Sequence, residues 1–490
     1  ADAPEREVTG IAYDSRAVRP GSLFVARHEK GYRADGHQYI PIAAAQGAVA
    51  AVVEPDYLSG NPHPGLPLIV TPDSGAALAD FAAAFYGYPA RKLRVVGVTG
   101  TDGKTTTTFL ISKVLEQGGH KTGLFGTVYF KVGTRLWDNP TRATTPEAVE
   151  VQELLAEMVA DGCDYAVLES SSHGLAQHRL DHCEYDVAVL TNVTHEHLDF
   201  HGTVEEYQLA KAKLFDFLAT SMDKGIVKVG VVNLDDPNAK MYIERVPANG
   251  RTLTYAVQNE HADVCALNVV ASANGLRYTA ATPVGNLDLE LMLTGSFNVY
   301  NSLAAIAVGI SQNVSLAEIK AALEQVPGVA GRMEQIQAGQ DFTCIVDYAH
   351  TPDALNKVLG ILRPLTQGKL IAVIGSAGER DLAKRPLLGA AAAKWCDFFV
   401  IADEDPRFEP PMKIINEIAA GAEAKGKQEG RDFLKIADRR TAIAAAFDCA
   451  ATGDIVALLG KGHEQCIIVG KDKLPWDDRS VARELLEGMR

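Results

Sequence analysis

Short continuous apolar runs alternate along the chain with stretches of helical period, and the apolar runs repeatedly end in polar residues. The pattern predicts an apolar strand over 93–98, a glycine-rich turn, and a helix over 105–117. Upstream, strands over 21–25 and 49–53 enclose an alanine-rich run over 41–47, which reads as a small α/β module. Downstream, strands are expected over 165–168, 187–190 and 231–233, and the first two close on polar residues, where chemistry gathers in open parallel sheets. Residues 252–293 alternate apolar runs with Gly and Asn, which predicts antiparallel strands beside the parallel sheet. From Pro327 and Gly328 onward, strands over 343–346, 370–374, 398–401 and 455–459 with helices between predict a second doubly wound sheet. The expected fold class is α/β in three domains, over 1–88, 89–327 and 328–490: a small α/β module, a central phosphate-loop domain with a mainly parallel sheet, and a Rossmann-like domain. A length of 490 residues agrees with that division at ~150 residues per domain.

Composition narrows the function classes. The chain is 47% hydrophobic and 22% charged, enough to build substantial cores. A net charge of −15 argues against a broad nucleic-acid-binding face while leaving room for local basic pockets. Seven scattered cysteines with no C-x-x-C spacing fit a reducing cytosol. No apolar run reaches the ~18 residues of a membrane helix, and no basic-then-apolar leader opens the chain, so neither membrane integration nor export is expected.

The turn after the first strong strand carries the clearest chemistry. Gly100, Thr101, Asp102 and Gly103 can close backbone N–H groups around an anion, and the helix that follows directs its positive end there. Lys104 supplies a mobile charge for outer phosphates, and the Thr105 hydroxyl can ligate Mg²⁺. Val98 stands where the usual first glycine of such a loop would be, which points to a subclass. Glu169-Ser-Ser-Ser-His-Gly-Leu-Ala-Gln-His-Arg179 follows a buried strand. Glu169 is placed to hold Mg²⁺ on ATP phosphates, and Ser171, Gln177 and Arg179 offer donors for a phosphorylated or carboxylated ligand. A serine-capped helix start with solvent-facing polar groups explains that segment equally well. His195, His197 and His201 have spacings that suggest zinc, but no Cys or fourth ligand is nearby. One histidine in a Mg²⁺ shell is the more economical reading, with His195 at the surface. Residues 207–215 are helical in pattern, and the residues alone assign Lys211 and Lys213 to a solvent-facing side.

The last third adds a second polar rim. Asp347 and His350 sit at a strand end and can bind ribose hydroxyls and orient a phosphoryl group, with Arg332 placed to neutralise transferred charge. Gly375-Ser-Ala-Gly-Glu-Arg-Asp381, Asp403-Glu-Asp-Pro-Arg-Phe-Glu409 and Gly460-Lys-Gly-His-Glu464 end three more strands. Their convergence predicts a substrate site.

Taken in order over essentially the whole chain, these motifs, with Tyr13-Asp-Ser-Arg16, Thr144-Thr-Pro146, His197-Leu-Asp-Phe-His201 and Gly331-Arg-Met-Glu334, resemble the Mur ligase family, the ATP-dependent amide-bond synthetases of peptidoglycan precursors, and within it the MurE type. The resemblance implies that 1–88 binds UDP-MurNAc, 89–327 binds ATP and 328–490 binds the amino acid. It implies ATP contacts from Gly100, Thr101, Asp102, Gly103, Lys104, Thr105 and Thr106, from Asn298 and Asn301, and from Arg332, Asp347 and His350 on the other side of the nucleotide. Two Mg²⁺ ions would be held by Thr105, Glu169, His197 and a carbamylated Lys211, which reverses the solvent-facing reading of that lysine. Lys104, Lys211, Glu169 and His197 would be the catalytic set. Ser15, Thr144, Thr145, Ser171, Gln177 and Arg179 would contact UDP-MurNAc-L-Ala-D-Glu. Arg380, Asp405, Pro406, Arg407, Gly460 and Glu464 would receive the diamino acid. The family's diaminopimelate users carry Asp-Asn-Pro-Arg where this chain has Glu404-Asp-Pro-Arg407. Arg407 suits a distal carboxylate and Asp405 a distal ammonium, so meso-diaminopimelate is favoured, with L-lysine or L-ornithine as alternatives. The resemblance further implies a cytoplasmic monomer with neither nucleic-acid nor membrane partner. Another ligase of the superfamily, such as a folylpolyglutamate synthase, is the rival enzyme, and a phosphate-loop switch without ligase turnover is the rival of another class.

Overall fold

The structure, a computed structural model, describes residues 6–28, 35–58, 65–141, 143–194, 197–273 and 275–489. His195 lies outside the described residues. The chain forms two compact units: 1–266, 280–287 and 300–322 in the first, and 267–279, 288–299 and 323–490 in the second. Among the described residues, no helix is long and apolar enough to cross a membrane.

The first unit holds two sheets. Strands β1 (Gly10–Ala12), β2 (Ser22–Val25), β3 (Ala50–Val53) and β4 (Leu68–Val70) lie in that order, all parallel. Phe24, Ala51 and Val53 face one core and Leu23, Val25 and Val52 the other, as expected when a parallel sheet is covered on both faces.

The second sheet is built on β5 (Arg94–Thr99), β6 (Thr122–Phe125), β7 (Tyr129–Val132), β8 (Arg135–Asp138), β9 (Tyr165–Glu169), β10 (Val187–Leu190), β11 (Val229–Asn233) and β12 (Arg251–Ala256), in the order β12-β11-β10-β5-β9-β6-β7-β8. From β12 to β6 the strands are parallel, and β7 and β8 add an antiparallel edge. Val95, Val96 and Val98 have no exposed surface, so β5 reads as a continuous apolar run. Gly97 matters to the site: a Cβ there would lie 2.6 Å from Leu214 and Tyr185 side chains, so its absence lets the helix Val204–Thr220 close on β5. The phosphate loop leaves β5 between the ends of β9 and β10, the crevice where open α/β sheets bind ligands.

The expectation for 252–293 holds for its later strands and needs correction for the first. β12 pairs in parallel with both β11 and β13 (Val264–Ser272). Only two residues join β13 to β14 (Gly275–Thr282) and two join β14 to β15 (Gly285–Leu291), so these neighbouring pairs are antiparallel. Alternating polarity reports one-sided burial and leaves strand direction open.

The second unit carries β16 (Glu334–Ile336), β17 (Thr343–Asp347), β18 (Leu370–Ile374), β19 (Phe398–Ile401), β20 (Phe433–Lys435) and β21 (Ile455–Leu459), in the order β16-β17-β21-β18-β19-β20. All pairs are parallel except β16 with β17. A hairpin of β22 (Cys466–Val469) and β23 (Asp472–Pro475) follows. Because β17, β21, β18 and β19 are neighbours running the same way, their four terminal loops lie side by side.

Candidate active site

In the first unit, β5 ends at Thr99 and the chain turns through Gly100 (φ 148°) and Gly103 (φ 82°), both in the region that favours glycine. A Cβ on Gly100 would lie 1.8 Å from Thr191 Oγ1, so the loop closes tightly on the end of β10. Thr101 N donates to Asn192 O at 2.7 Å and Asp102 N to Asn192 Oδ1 at 3.1 Å. Lys104 opens the helix Lys104–Gln117, and its Nζ curls back to Gly100 O (3.0 Å) and Thr101 O (2.8 Å). Thr106 is buried on that helix, and Thr107 Oγ1 donates to Asn301 Oδ1 at 3.2 Å.

Glu169 ends β9 beside the loop and is almost wholly buried. It accepts from Thr105 Oγ1 at 3.0 Å, Thr127 Oγ1 at 3.1 Å and Thr127 N at 2.8 Å. Thr105 and Glu169 therefore present hard oxygen donors together at the helix start, a set suited to Mg²⁺. Lys211 departs from the solvent-facing reading of its helix pattern: it is 1% exposed, and its Nζ donates to Gly100 O at 2.6 Å. The same Nζ lies 4.3 Å from the centre of the Tyr207 ring, whose hydroxyl meets Thr101 Oγ1 at 3.0 Å. The close approach at Gly97 puts this face of the helix against the phosphate loop. Lys213, on another side, reaches Leu175 O at 3.4 Å. His197 is exposed with φ 56°, and its ring packs edge-on to His173, 4.7 Å between centres, and against Tyr207 at 6.1 Å.

A polar shelf adjoins Glu169. Thr144 Oγ1 accepts from Thr127 Oγ1 at 3.0 Å, and Thr145 Oγ1 donates to Glu169 O at 2.9 Å. Ser171 caps the helix Ser172–Ala176 through Gly174 N and also meets Thr145 Oγ1 at 2.9 Å, so the capping reading of that serine holds alongside its place on the shelf. Arg179 donates to Thr145 O (3.0 Å) and Gln177 Oε1 (2.8 Å) and pairs with Glu147 at 2.9 Å. Glu147 also pairs with the buried Arg27. Ser15 is buried at the start of a short 3₁₀ turn after β1. Thr127, Tyr207 and Glu147 carried no motif signal, because their parts depend on distant partners.

In the second unit, Asp347 ends β17 and is buried, accepting from Met333 N and Ala349 N at 2.8 Å each. Burial raises its pKa, with Arg332 opposing. His350, whose Nδ1 meets Tyr348 O at 2.9 Å, is pushed down by burial. The Arg332 guanidinium lies 5.2 Å from the centre of the Tyr348 ring, and burial pushes the neighbouring His463 down to about 3. Asn298 belongs to the same unit and donates to Thr294 O at 2.8 Å.

After β19 come Glu404, Asp405, Pro406 and Arg407. Gly378 N, in the loop after β18, donates to Asp405 O at 2.8 Å, and the exposed Arg380 lies in that same loop. Arg407 has φ 54°, a conformation uncommon outside glycine, and its backbone bridges Val469 of β22. Gly460 follows β21, and a Cβ there would lie 2.7 Å from Glu404 Oε2. Glu404 is buried and its pKa is raised to about 6 by burial. Lys461 Nζ joins Asp405 Oδ1 (2.9 Å) to Glu464 Oε2 (2.6 Å). Both Glu404 and Lys461 stand inside conspicuous motifs, but only the fold reveals their partners.

Nearly the whole chain is similar to known proteins. Residues 7–86 match the Mur ligase family catalytic domain, 98–309 the Mur ligase middle domain, and 331–462 the Mur ligase glutamate ligase domain. The chain is 54% identical over 486 residues to a UDP-N-acetylmuramyl-tripeptide synthetase of Roseiflexus sp. (strain RS-1), covering 98% of this chain and 94% of the relative. It is 42% identical over 484 residues to a UDP-N-acetylmuramoyl-L-alanyl-D-glutamate–2,6-diaminopimelate ligase of Geobacillus thermodenitrificans (strain NG80-2), covering 99% and 96%. A solved structure of a ligase with that same activity in its name is similar with a TM-score of 0.69 at 31% identity, covering 100% of this chain and 97% of the other.

Proposed function

The chain belongs to the Mur ligase family, and from that premise we propose that it adds meso-diaminopimelate to the D-Glu side-chain carboxylate of UDP-MurNAc-L-Ala-D-Glu. Its class is that of an ATP-dependent, amide-bond-forming ligase of the MurE type, acting in peptidoglycan-precursor synthesis. The observation that carries the choice of amino acid is the rim of the second unit, where Arg407 follows Asp405 of the Asp405–Lys461–Glu464 cluster by two positions in the same loop. A distal carboxylate suits the guanidinium and a distal ammonium suits the acidic side, and diaminopimelate carries both.

In this reading residues 1–88 take the UDP end of the donor, 89–327 hold ATP, and 328–490 take the acceptor. Thr144, Thr145, Ser171, Gln177 and Arg179, with Ser15, orient the donor. The loop N–H groups and Lys104 hold the ATP phosphates, which requires Lys104 to leave the carbonyls it now meets. Asn298, Asn301, Arg332, Asp347 and His350 hold the rest of the nucleotide. Thr105, Glu169, His197 and a carbamylated Lys211 would hold two Mg²⁺ ions, which neutralise phosphate charge when bound. Carbamylation would turn the cation at Gly100 into an anion, which suits metal binding where an ammonium opposes it.

The donor carboxylate attacks the γ-phosphorus, its bond to ADP breaks, and an acyl phosphate forms. The neutral amine of the diamino acid then attacks the acyl carbon, and phosphate leaves as the amide forms. The residues above bind and orient, and none serves as a nucleophile, so rate comes from positioning and from charge clamping. We further propose that the enzyme works as a cytoplasmic monomer without nucleic-acid or membrane partners.

The test is incubation with ATP, the UDP-dipeptide and an equimolar mixture of meso-diaminopimelate, L-lysine and L-ornithine, with products identified by mass. The diaminopimelate product should dominate. Dominance of the lysine or ornithine product would overturn the acceptor assignment and leave the ligase class standing.

A further inference from the structure

Arg407 carries the proposed grip on a distal carboxylate, yet its side chain does not fix where that grip sits. Its Nε is buried with no hydrogen-bond partner among the described residues. The backbone is held instead. Arg407 N donates to Ile468 O at 2.9 Å, Arg407 O accepts from Gly470 N at 2.8 Å, and a φ of 54° turns the chain sharply. Two residues on, Glu409 N closes that turn onto Pro406 O at 3.0 Å.

The Glu409 carboxylate ties the turn to the loop after β18. Its Oε1 accepts from Glu379 N at 2.6 Å. Glu379 has φ 55°, and the preceding Gly378 N donates to Asp405 O at 2.8 Å. A Cβ on Gly378 would lie 2.1 Å from Pro406 O, so the two loops meet backbone to backbone. Behind them, Arg385 of the helix Lys384–Trp395 has no exposed surface. It donates to Glu409 Oε1 at 2.7 Å and Oε2 at 3.1 Å, and to Glu417 Oε2 at 2.6 Å. Lys413 Nζ also donates to Glu409 Oε2 at 3.1 Å. The Arg385 guanidinium holds the Glu409 carboxyl well below the usual carboxylate range, so it stays ionised.

We propose that Glu409 is a positioning residue for acceptor recognition: by anchoring the Arg407 turn to Glu379 and to the buried Arg385, it holds the Arg407 guanidinium where the distal carboxylate of the diamino acid arrives. The inference rests on the acceptor reading of this rim. A guanidinium grips a carboxylate with two bonds only when its direction is held, and left-handed residues other than glycine persist only where their surroundings hold them. Arg407 and Glu379 are two such residues, and Glu409 is the side chain that joins their loops. Its charge is engaged by Arg385 and Lys413, so its part is to place Arg407.

The test is steady-state kinetics of the full chain, with ATP, the UDP-dipeptide and meso-diaminopimelate varied in turn. Glu409→Ala should raise KM for diaminopimelate about tenfold, the loss expected when one charge-assisted contact is misaligned, with KM for ATP and for the UDP-dipeptide unchanged. Because Glu409 acts through Arg407, the same substitution should cost at most about twofold more in an Arg407→Ala background, where independent effects would multiply. Glu409→Gln keeps the size of the side chain and an oxygen for Glu379 N, but turns an NH₂ group toward cationic donors. Its KM for diaminopimelate should rise about threefold, and again not in the Arg407→Ala background. This variant carries the test should Glu409→Ala not fold. An unchanged KM for diaminopimelate in either variant, a parallel rise in all three KM values, or an undiminished loss in the Arg407→Ala background would overturn the proposal. A wild type that uses lysine or ornithine and leaves diaminopimelate untouched would instead overturn the acceptor reading, and this inference with it.

Discussion

Arg439 should be the residue on which the proposed acceptor rim depends most for its shape. Its guanidinium is wholly buried and grips Asp478 with two bonds, Nε to Oδ1 at 2.8 Å and Nη2 to Oδ2 at 2.6 Å. The same group donates to Asp403 O at 3.1 Å and Leu459 O at 2.9 Å, the carbonyls just before Glu404 and Gly460. One side chain thus ties together the loops that carry Asp405, Arg407, Lys461 and Glu464. Arg439→Met keeps much of the volume and removes every one of these donors. Asp478, which has no exposed surface, would keep only Trp476 Nε1 at 2.8 Å. Breaking a buried pair by removing one partner costs about 3–5 kcal/mol. Hydrogen exchange at the amides of β18, β19 and β21 should show that loss in their opening free energy. Arg439→Lys should fall between, since an ammonium keeps the charge but cannot span both carbonyls and the carboxylate. The KM for the diamino acid should rise in both variants. A loss below about 1 kcal/mol in Arg439→Met would refute the reasoning, because it would place the pair within the range of exposed ion pairs.

Lys211→Ala should be nearly inactive and regain turnover with added short-chain carboxylates, and active wild type should carry the mass of one added CO₂. Full activity of the variant without rescue would reject that role. Glu404 has its pKa raised from 4.5 to about 6, so the native state binds its proton more tightly than the unfolded chain does. Its contribution is fully present below about 4.5 and is lost as pH rises through about 6, a span worth about 2 kcal/mol. Glu404→Gln should flatten that part of the stability profile, leaving the separate share from Asp403, which burial also raises to about 6. Arg407→Ala should lower kcat/KM for diaminopimelate about 10- to 100-fold, from a charge-assisted contact of ~1.5–3 kcal/mol, and lysine or ornithine much less.

The parallel strands were legible because burial on both faces makes them unbroken apolar runs, as at 370–374, 398–401 and 455–459. Their ends were less so. β5, β9 and β17 each continue into Thr99, Glu169 and Asp347, polar residues that keep the ladder. Strands β16 and β20 have three residues each, too short for a pattern. The phosphate loop was legible because its glycines, lysine and threonine are contiguous and their geometry is local. The burial of Lys211 was not, because it depends on the missing Cβ of Gly97, in another element. The pairing of Lys461 with Asp405, 56 residues away, left no local trace either. Asp405 therefore read as a free anion.

The central claim is that ATP activates the donor carboxylate for attack by the diamino acid, and a heavy-oxygen label tests it most directly. UDP-MurNAc-L-Ala-D-Glu labelled in the D-Glu side-chain carboxylate is turned over with ATP and meso-diaminopimelate, and the released phosphate is analysed by mass. The account predicts that each phosphate carries one labelled oxygen, and that release requires donor and diamino acid together. Unlabelled phosphate, or equal release without the donor, would contradict it.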